Sequence, residues 1–206
     1  MRFRPAGPSA LLVEVDSLAQ VRALHARIEQ ERARGWAPDL VDVIPAARTV
    51  LLDGVPDQSA LAGELRSWSV APLPSGSGRV VEIACHYDGP DLADVAAQWG
   101  VPPGRVPAIH AGLDHEVAFC GFAPGFPYIA GLGGGHEAAR RDRPRSSVPA
   151  GSVALGDEYT GIYPRTSPGG WQIIGRTDAV MWDAGRHPAA LLEPGDLVRF
   201  IDVMAR

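Results

Sequence analysis

Lysine and asparagine are missing from this sequence altogether, and all 19 basic residues are arginine. Without lysine there is no P-loop lysine, no Schiff-base lysine and no Ser-Lys dyad. Cysteine is nearly missing too. Cys85 and Cys120 sit in apolar, strand-like contexts with no CxxC pattern and no paired histidine, so two buried, reduced thiols are expected rather than a disulfide. A basic surplus is also lacking: the formal charge is −5, which argues against nucleic acid as a partner. Long hydrophobic runs do not occur. The stretches Val117 to Cys120 and Val148 to Leu155 fall far short of the roughly 20 residues of a membrane helix. The opening MRFRPAGPSALLVEV has no apolar signal core. No membrane association and a cytoplasmic location are therefore expected. His115, His136 and His187 are scattered without metal-ligand spacing, so no metal site is expected in this chain.

What is present is ordinary globular material, 46% hydrophobic, enough for one large domain or two small ones. Ser9 to Val15 is apolar and β-prone, and Ser17 to Arg34 carries Leu18, Val21, Leu24 and Ile28 at helical spacing behind a Ser17 cap. Leu40 to Ile44 and Thr49 to Leu52 are short apolar runs, and Gln58 to Trp68 is again helical in pattern. The resulting β-α-β-β-α order predicts a small split-βαβ, α/β domain over residues 1–78. Pro72 to Gly78, PLPSGSG, reads as the linker. In residues 79–206, Arg79 to His86 reads as a strand, and Asp91 to Trp99 and Arg105 to His110 as short helices. The remainder reads as short strands between Gly and Pro. That spacing predicts a mainly β barrel or sandwich with a few helices against it, an α+β chain overall.

Between His110 and Thr177 glycine and proline become dense. Glycine allows conformations closed to other residues and close approach of a ligand to the main chain, and proline stiffens turns. The segment therefore predicts preorganised loops on a rigid barrel, where binding sites usually sit. Here GFAPGFPYIAGL (Gly121 to Leu132), RPRSSVPAGSVAL (Arg143 to Leu155), TGIYPRTSPGGW (Thr160 to Trp171), IIGRT (Ile173 to Thr177) and LEPGDLVRF (Leu192 to Phe200) follow in order. A weaker likeness runs from Ser9 through HYDGPDL, His86 to Leu92. In these stretches the chain resembles the small, B-type subunit of bacterial 5-oxoprolinase, a family that includes allophanate hydrolase subunit 1, KipI-type kinase inhibitors and part of the carboxyltransferase domain of urea carboxylase. The pattern departs from the family at Tyr159, where relatives commonly carry Gln, at Gly133 to Glu137, and at Ala139.

The resemblance implies a cyclophilin-like β-barrel after the N-terminal domain. It also implies ATP-dependent opening of 5-oxo-L-proline to L-glutamate in company with a larger C-type subunit, of the allophanate hydrolase subunit 2 or KipA kind, and an A-type subunit. The alternatives within the family are a KipI-like inhibitor of a sensor histidine kinase and an allophanate hydrolase or carboxyltransferase-like module acting on a urea-like amide. ATP is the implied cofactor, with its Mg. Since this chain has no Walker A sequence and no kinase-type glycine loop, the ATP site is expected on a partner or at a shared interface.

Opening a lactam requires cations and hydrogen-bond donors around a carboxylate and a developing oxyanion. Arg140, Arg141, Arg143 and Arg145 form the densest positive cluster; Arg145 is the catalytic candidate and Arg143 a substrate ligand, against the alternative of a solvated loop with salt bridges. His110, at a helix end before the motif block, is the acid/base candidate, with a helix C-terminal cap as the alternative. Ser152, Thr160, Tyr163 and Ser167 supply hydroxyls, none in a GxSxG setting, and are expected to orient substrate. Arg176 is a substrate ligand or a structural ion pair. Phe122 and Tyr128, with Phe119, Phe126 and Trp171, form either an apolar wall over a small ligand or ordinary packing. His86, Asp88 and Asp91 are expected to organise a loop.

Overall fold

The computed structural model describes residues 1–36, 39–70 and 78–204. The chain divides into two compact units, 1–75 and 76–206. Of the expected linker Pro72 to Gly78, all but Gly78 lies outside the described residues.

Among the described residues, the first unit is a four-stranded sheet with two helices. Its elements are β1 (Arg2–Pro5), β2 (Ala10–Glu14), α1 (Leu18–Arg32), β3 (Asp42–Pro45), β4 (Thr49–Asp53) and α2 (Gln58–Arg66). The spatial order is β1-β2-β4-β3 and every pairing is antiparallel. Because β2 and β3 both run against β4, they are parallel to each other with β4 between them, which is the split-βαβ arrangement. The Ser17 hydroxyl accepts from the Gln20 amide at 3.3 Å, and the Gln20 side chain accepts from Asp16 N at 2.8 Å, a reciprocal pair that caps the start of α1. Val21, Leu24 and Ile28 of α1 are buried in one cluster with Leu11, Val13, Val50, Leu52 and Leu65. Strand β1 is an element that the sequence pattern does not predict. Its Arg2 and Arg4 are held by Glu14 of β2 at 3.4 and 2.7 Å, and only Phe3 packs against the core.

The second unit contains β5 (Val80–Cys85), α3 (Leu92–Trp99), α4 (Val106–Ala111), β6 (His115–Cys120), β7 (Pro127–Ala130), β8 (Arg145–Val148), β9 (Ser152–Gly156), β10 (Tyr159–Ile162), β11 (Ser167–Gly169), β12 (Gln172–Arg176) and β13 (Leu197–Asp202). Seven strands form one sheet, in the order β12-β9-β10-β7-β6-β13-β5, with β13 parallel to β5 and the other neighbours antiparallel. The two end strands meet: His86 N donates to Arg176 O at 2.8 Å and Arg176 N to His86 O at 2.9 Å. This seam brings the sheet nearly to a closed barrel. Its core gathers Ile83, Val117, Ile129, Leu155, Ile174 and Phe200. The ribbon of β8 and β11 is separate from the barrel sheet. Cys85 and Cys120 are free thiols, the first buried and the second half-buried. Among the described residues, no helix is long and apolar enough to cross a membrane.

Candidate functional site

The arginine cluster is organised by one carboxylate. Asp91, immediately before α3, is 2% exposed. Its Oδ1 accepts from Arg141 Nη1 at 2.7 Å and Arg145 Nη2 at 2.8 Å; its Oδ2 accepts from Arg145 Nη1 at 2.9 Å and from the Ile173 amide at 2.6 Å. The Arg145 contact is a bidentate fork, the geometry that fixes a guanidinium plane as well as its position. Asp91 thereby ties the segment carrying both arginines to β12. The Asp91 carboxylate also raises the Arg145 pKa.

On either side of this anchor the motif loops form a cleft. The larger, about 380 Å³, is lined by Asp88, Arg145, Ser147, Ser152, Ile173 and Arg176 among others. Arg176 Nε donates to Asp88 Oδ2 at 2.9 Å in a pair that is half exposed on both sides, so its contribution to stability is small. The smaller cleft, about 240 Å³, has walls of Phe122, Phe126, Tyr128, Tyr163 and Trp171, with Arg140, Arg141 and the Gly169–Gly170 backbone completing it. Burial pushes the Tyr128 and Tyr163 phenols up, so both remain protonated donors. Phe122 is 61% exposed and has φ +66°. A left-handed backbone at a bulky residue costs on the order of 1 kcal/mol, and such strain clusters at functional sites.

Of the residues singled out in the sequence, Arg145, Ser152 and Arg176 therefore share the larger cleft, and Phe122, Tyr128 and Tyr163 the smaller one. Arg143 is exposed and lines neither. Ser167 is 8% exposed, its Oγ without a hydrogen-bond partner among the described residues, and it too lines neither cleft. His110 lies away from both clefts. It is fully buried in the barrel, with Nδ1 2.7 Å from Tyr87 Oη and Nε2 2.9 Å from Thr160 Oγ1, and its ring packs on His115 and Phe200. Desolvation, with His115 adding to it, lowers its pKa well below the usual imidazole value. His110 and Thr160 thus form an interior polar network, and neither lines the two clefts.

The carboxyltransferase domain, subdomain C and D family matches residues 1–192. The chain is 41% identical over 172 residues to the B-type subunit of 5-oxoprolinase from Escherichia coli O157:H7, covering 80% of this chain and 78% of that protein. To the B-type subunit of 5-oxoprolinase from Haemophilus influenzae it is 36% identical over 210 residues, covering 98% and 97%. The chain belongs to the family of 5-oxoprolinase B-type subunits. Among solved structures, TTHA0988 is similar with a TM-score of 0.78 at 34% identity over 94% of this chain; the chain spans 39% of that longer one.

In this member of the 5-oxoprolinase family, the departure at Tyr159 lies behind the aromatic cleft. The Tyr159 ring is 8% exposed and meets Tyr128 edge-on at 5.8 Å and Phe119 at 5.6 Å. It backs a wall of the cleft without lining it. Arg140, Arg141 and Asp91 are the site residues that sequence reasoning underweighted. A partial signal existed in the placement of Asp91 in the HYDGPDL stretch and the two arginines beside the RPRSSV motif. Among the described residues, no group of three or more His, Cys, Asp or Glu side chains is placed to hold a metal ion.

Proposed function

We propose that this chain is the B-type subunit of an ATP-dependent 5-oxoprolinase, acting in the cytoplasm with A-type and C-type subunits to convert 5-oxo-L-proline to L-glutamate. The observation that carries the reading is the end-to-end likeness to the Haemophilus influenzae protein, which leaves neither unit of the chain unmatched. The site chemistry supports it. The substrate pairs a carboxylate with a resonance-stabilised amide, and the clefts offer guanidinium groups, phenols and backbone amides of Gly-rich loops. Hydrolysis of ATP drives the ring opening: transfer of the γ-phosphoryl group to the lactam oxygen releases ADP and weakens the amide resonance, water adds to that carbon, the C–N bond breaks with the proton going to nitrogen to leave an acyl phosphate, and a second water hydrolyses the acyl phosphate to the carboxylate and free phosphate. The role of this chain in that sequence is to hold and orient the substrate. No lysine exists in this chain to follow a γ-phosphate. ATP and its Mg are accordingly positioned by a partner subunit or at the interface with one.

Co-expression with the neighbouring A- and C-type subunits tests the reading, by measuring release of ADP and glutamate that depends on 5-oxoproline. Glutamate formation should need all three proteins and fall sharply in Arg145→Ala. A stable complex without 5-oxoproline-dependent ATP turnover would overturn the assignment.

A further inference from the structure

The smaller cleft is built around rings. Phe126 meets Tyr163 at 5.1 Å and Trp171 at 5.6 Å, each nearly perpendicular, and Tyr128 meets Trp171 at 5.5 Å. Such edge-to-face contacts fix ring orientation as well as spacing. Residues that would crowd these rings are glycine. A Cβ at Gly161 would lie 2.7 Å from both the Phe126 and Trp171 rings, and one at Gly169 would lie 2.2 Å from the Tyr163 hydroxyl oxygen. At the rim Arg140 lies 5.7 Å from the centre of the Trp171 ring and stays 56% exposed while paired with Asp157. Phe122 stands at the mouth, edge-on to Phe126 at 5.2 Å, with most of its surface uncovered.

We propose that this aromatic cleft, and not the larger one beside it, seats a small planar ring carrying an anionic group, with the ring among Phe126, Tyr128 and Trp171 and the anion beside Arg140. The cleft's size selects for such a ligand. At about 240 Å³ it lies below the roughly 300–1,000 Å³ of sites for drug-sized molecules, so a compact ring fits and a nucleotide does not. The phenols of Tyr128 and Tyr163 are donors for a ring carbonyl, and the Phe122 side chain becomes covered when the cleft is filled. The identification of the ring as the lactam of 5-oxoproline rests on the function proposed above; the ring and anion chemistry of the cleft does not.

Two measurements test this. In the full chain, amide and indole NMR signals are followed during titration with 5-oxo-L-proline, and separately with L-proline, which shares the ring size and carboxylate but lacks the planar amide. Saturable shifts at Gly169, Gly170 and Trp171, with proline binding at least about tenfold more weakly, are expected. In the assembled complex, Arg140→Gln should raise the KM for 5-oxoproline about tenfold while leaving the KM for ATP unchanged, as expected for loss of one charge-assisted contact. Shifts confined to Ser152 and Gly175 of the larger cleft overturn the proposal. So does an Arg140→Gln complex with wild-type KM, in which case the 5-oxoprolinase reading survives. A complex that never turns over 5-oxoproline, combined with saturable shifts at Gly169 to Trp171, fells that reading and supports the cleft assignment.

Discussion

Replacing Asp91 with asparagine isolates the group that holds both clefts together. In the native chain this carboxylate is buried and satisfies Arg141, both ends of the Arg145 fork and the Ile173 amide at 2.6 to 2.9 Å. Removing one partner of a buried ion pair typically costs about 3–5 kcal/mol, because the remaining charge has lost its counterion. Two features moderate the cost here. The Arg141 and Arg145 side chains keep 31% and 24% of their exposure, so water compensates part of the lost charge. Asparagine also retains one acceptor oxygen for the Ile173 amide. The balance is about 3 kcal/mol for Asp91→Asn and about 4 kcal/mol for Asp91→Ala, where the amide loses its acceptor too. For a chain of this size about 3 kcal/mol corresponds to a fall of roughly 10 °C in Tm. Urea and thermal unfolding of Asp91→Asn, Arg145→Gln and the double variant would measure it. The double variant should be less destabilised than the sum of the singles by about 1–2 kcal/mol, since removing both partners leaves fewer orphaned charges. A loss below about 1 kcal/mol in Asp91→Asn, or strict additivity, would refute the assignment of Asp91 as the anchor.

Acid should destabilise the barrel through its interior histidines. Burial lowers the pKa of both His110 and His115 from 6.5, so each takes up a proton in the unfolded chain before it does in the folded one. Their contribution is therefore complete above pH 6.5 and is lost as the pH falls below it, by up to about 1.4 kcal/mol per pH unit for each histidine that stays neutral. A urea midpoint equal at pH 7.5 and 5.5 would contradict this, and His110→Gln, which keeps hydrogen-bonding capacity without the titration, should flatten the dependence. The thiols should be inert while the chain is folded. Burial pushes Cys85 up to about 12 and Cys120 up to about 11, so both remain protonated at pH 8. An Ellman titration should find them unreactive until denaturant is added, and rapid labelling of the native chain would show the local structure to be wrong.

Local pattern was sufficient wherever a side chain's role is decided by its near neighbours. Ser17 before Val21, Leu24 and Ile28 reads as a capped amphipathic helix, and α1 is that helix. The opposite held where the deciding partner is distant. Arg2, Arg4 and Pro5 obscure β1, whose charges are matched only by Glu14 on the adjacent strand. His110 at a helix end has the same local sequence whether it faces a cleft or a core. The choice was made by Thr160, 50 residues away, and by Phe200. Arg141 and Arg145 are likewise separated by 50 and 54 residues from the Asp91 that gives them their positions.

Glycine in the motif segment shows how a correct signal can carry the wrong physical reason. Its density suggested turns and unusual backbone angles, and at Gly125 and Gly151, with φ +79° and +78°, that reason holds. Gly156 and Gly161 are different: they lie in β9 and β10 without positive φ, where backbone freedom is of no use. A Cβ at Gly156 would lie 2.5 Å from the Trp171 ring, and one at Gly161 2.7 Å from that ring and from Phe126. An interior glycine normally weakens a strand, so its presence there is explained by the ring that occupies its missing side chain's volume. Trp171 and Phe126 are thus seated by strand glycines and, at 6% and 2% exposed, contribute only a small part of their surface to the cleft they line.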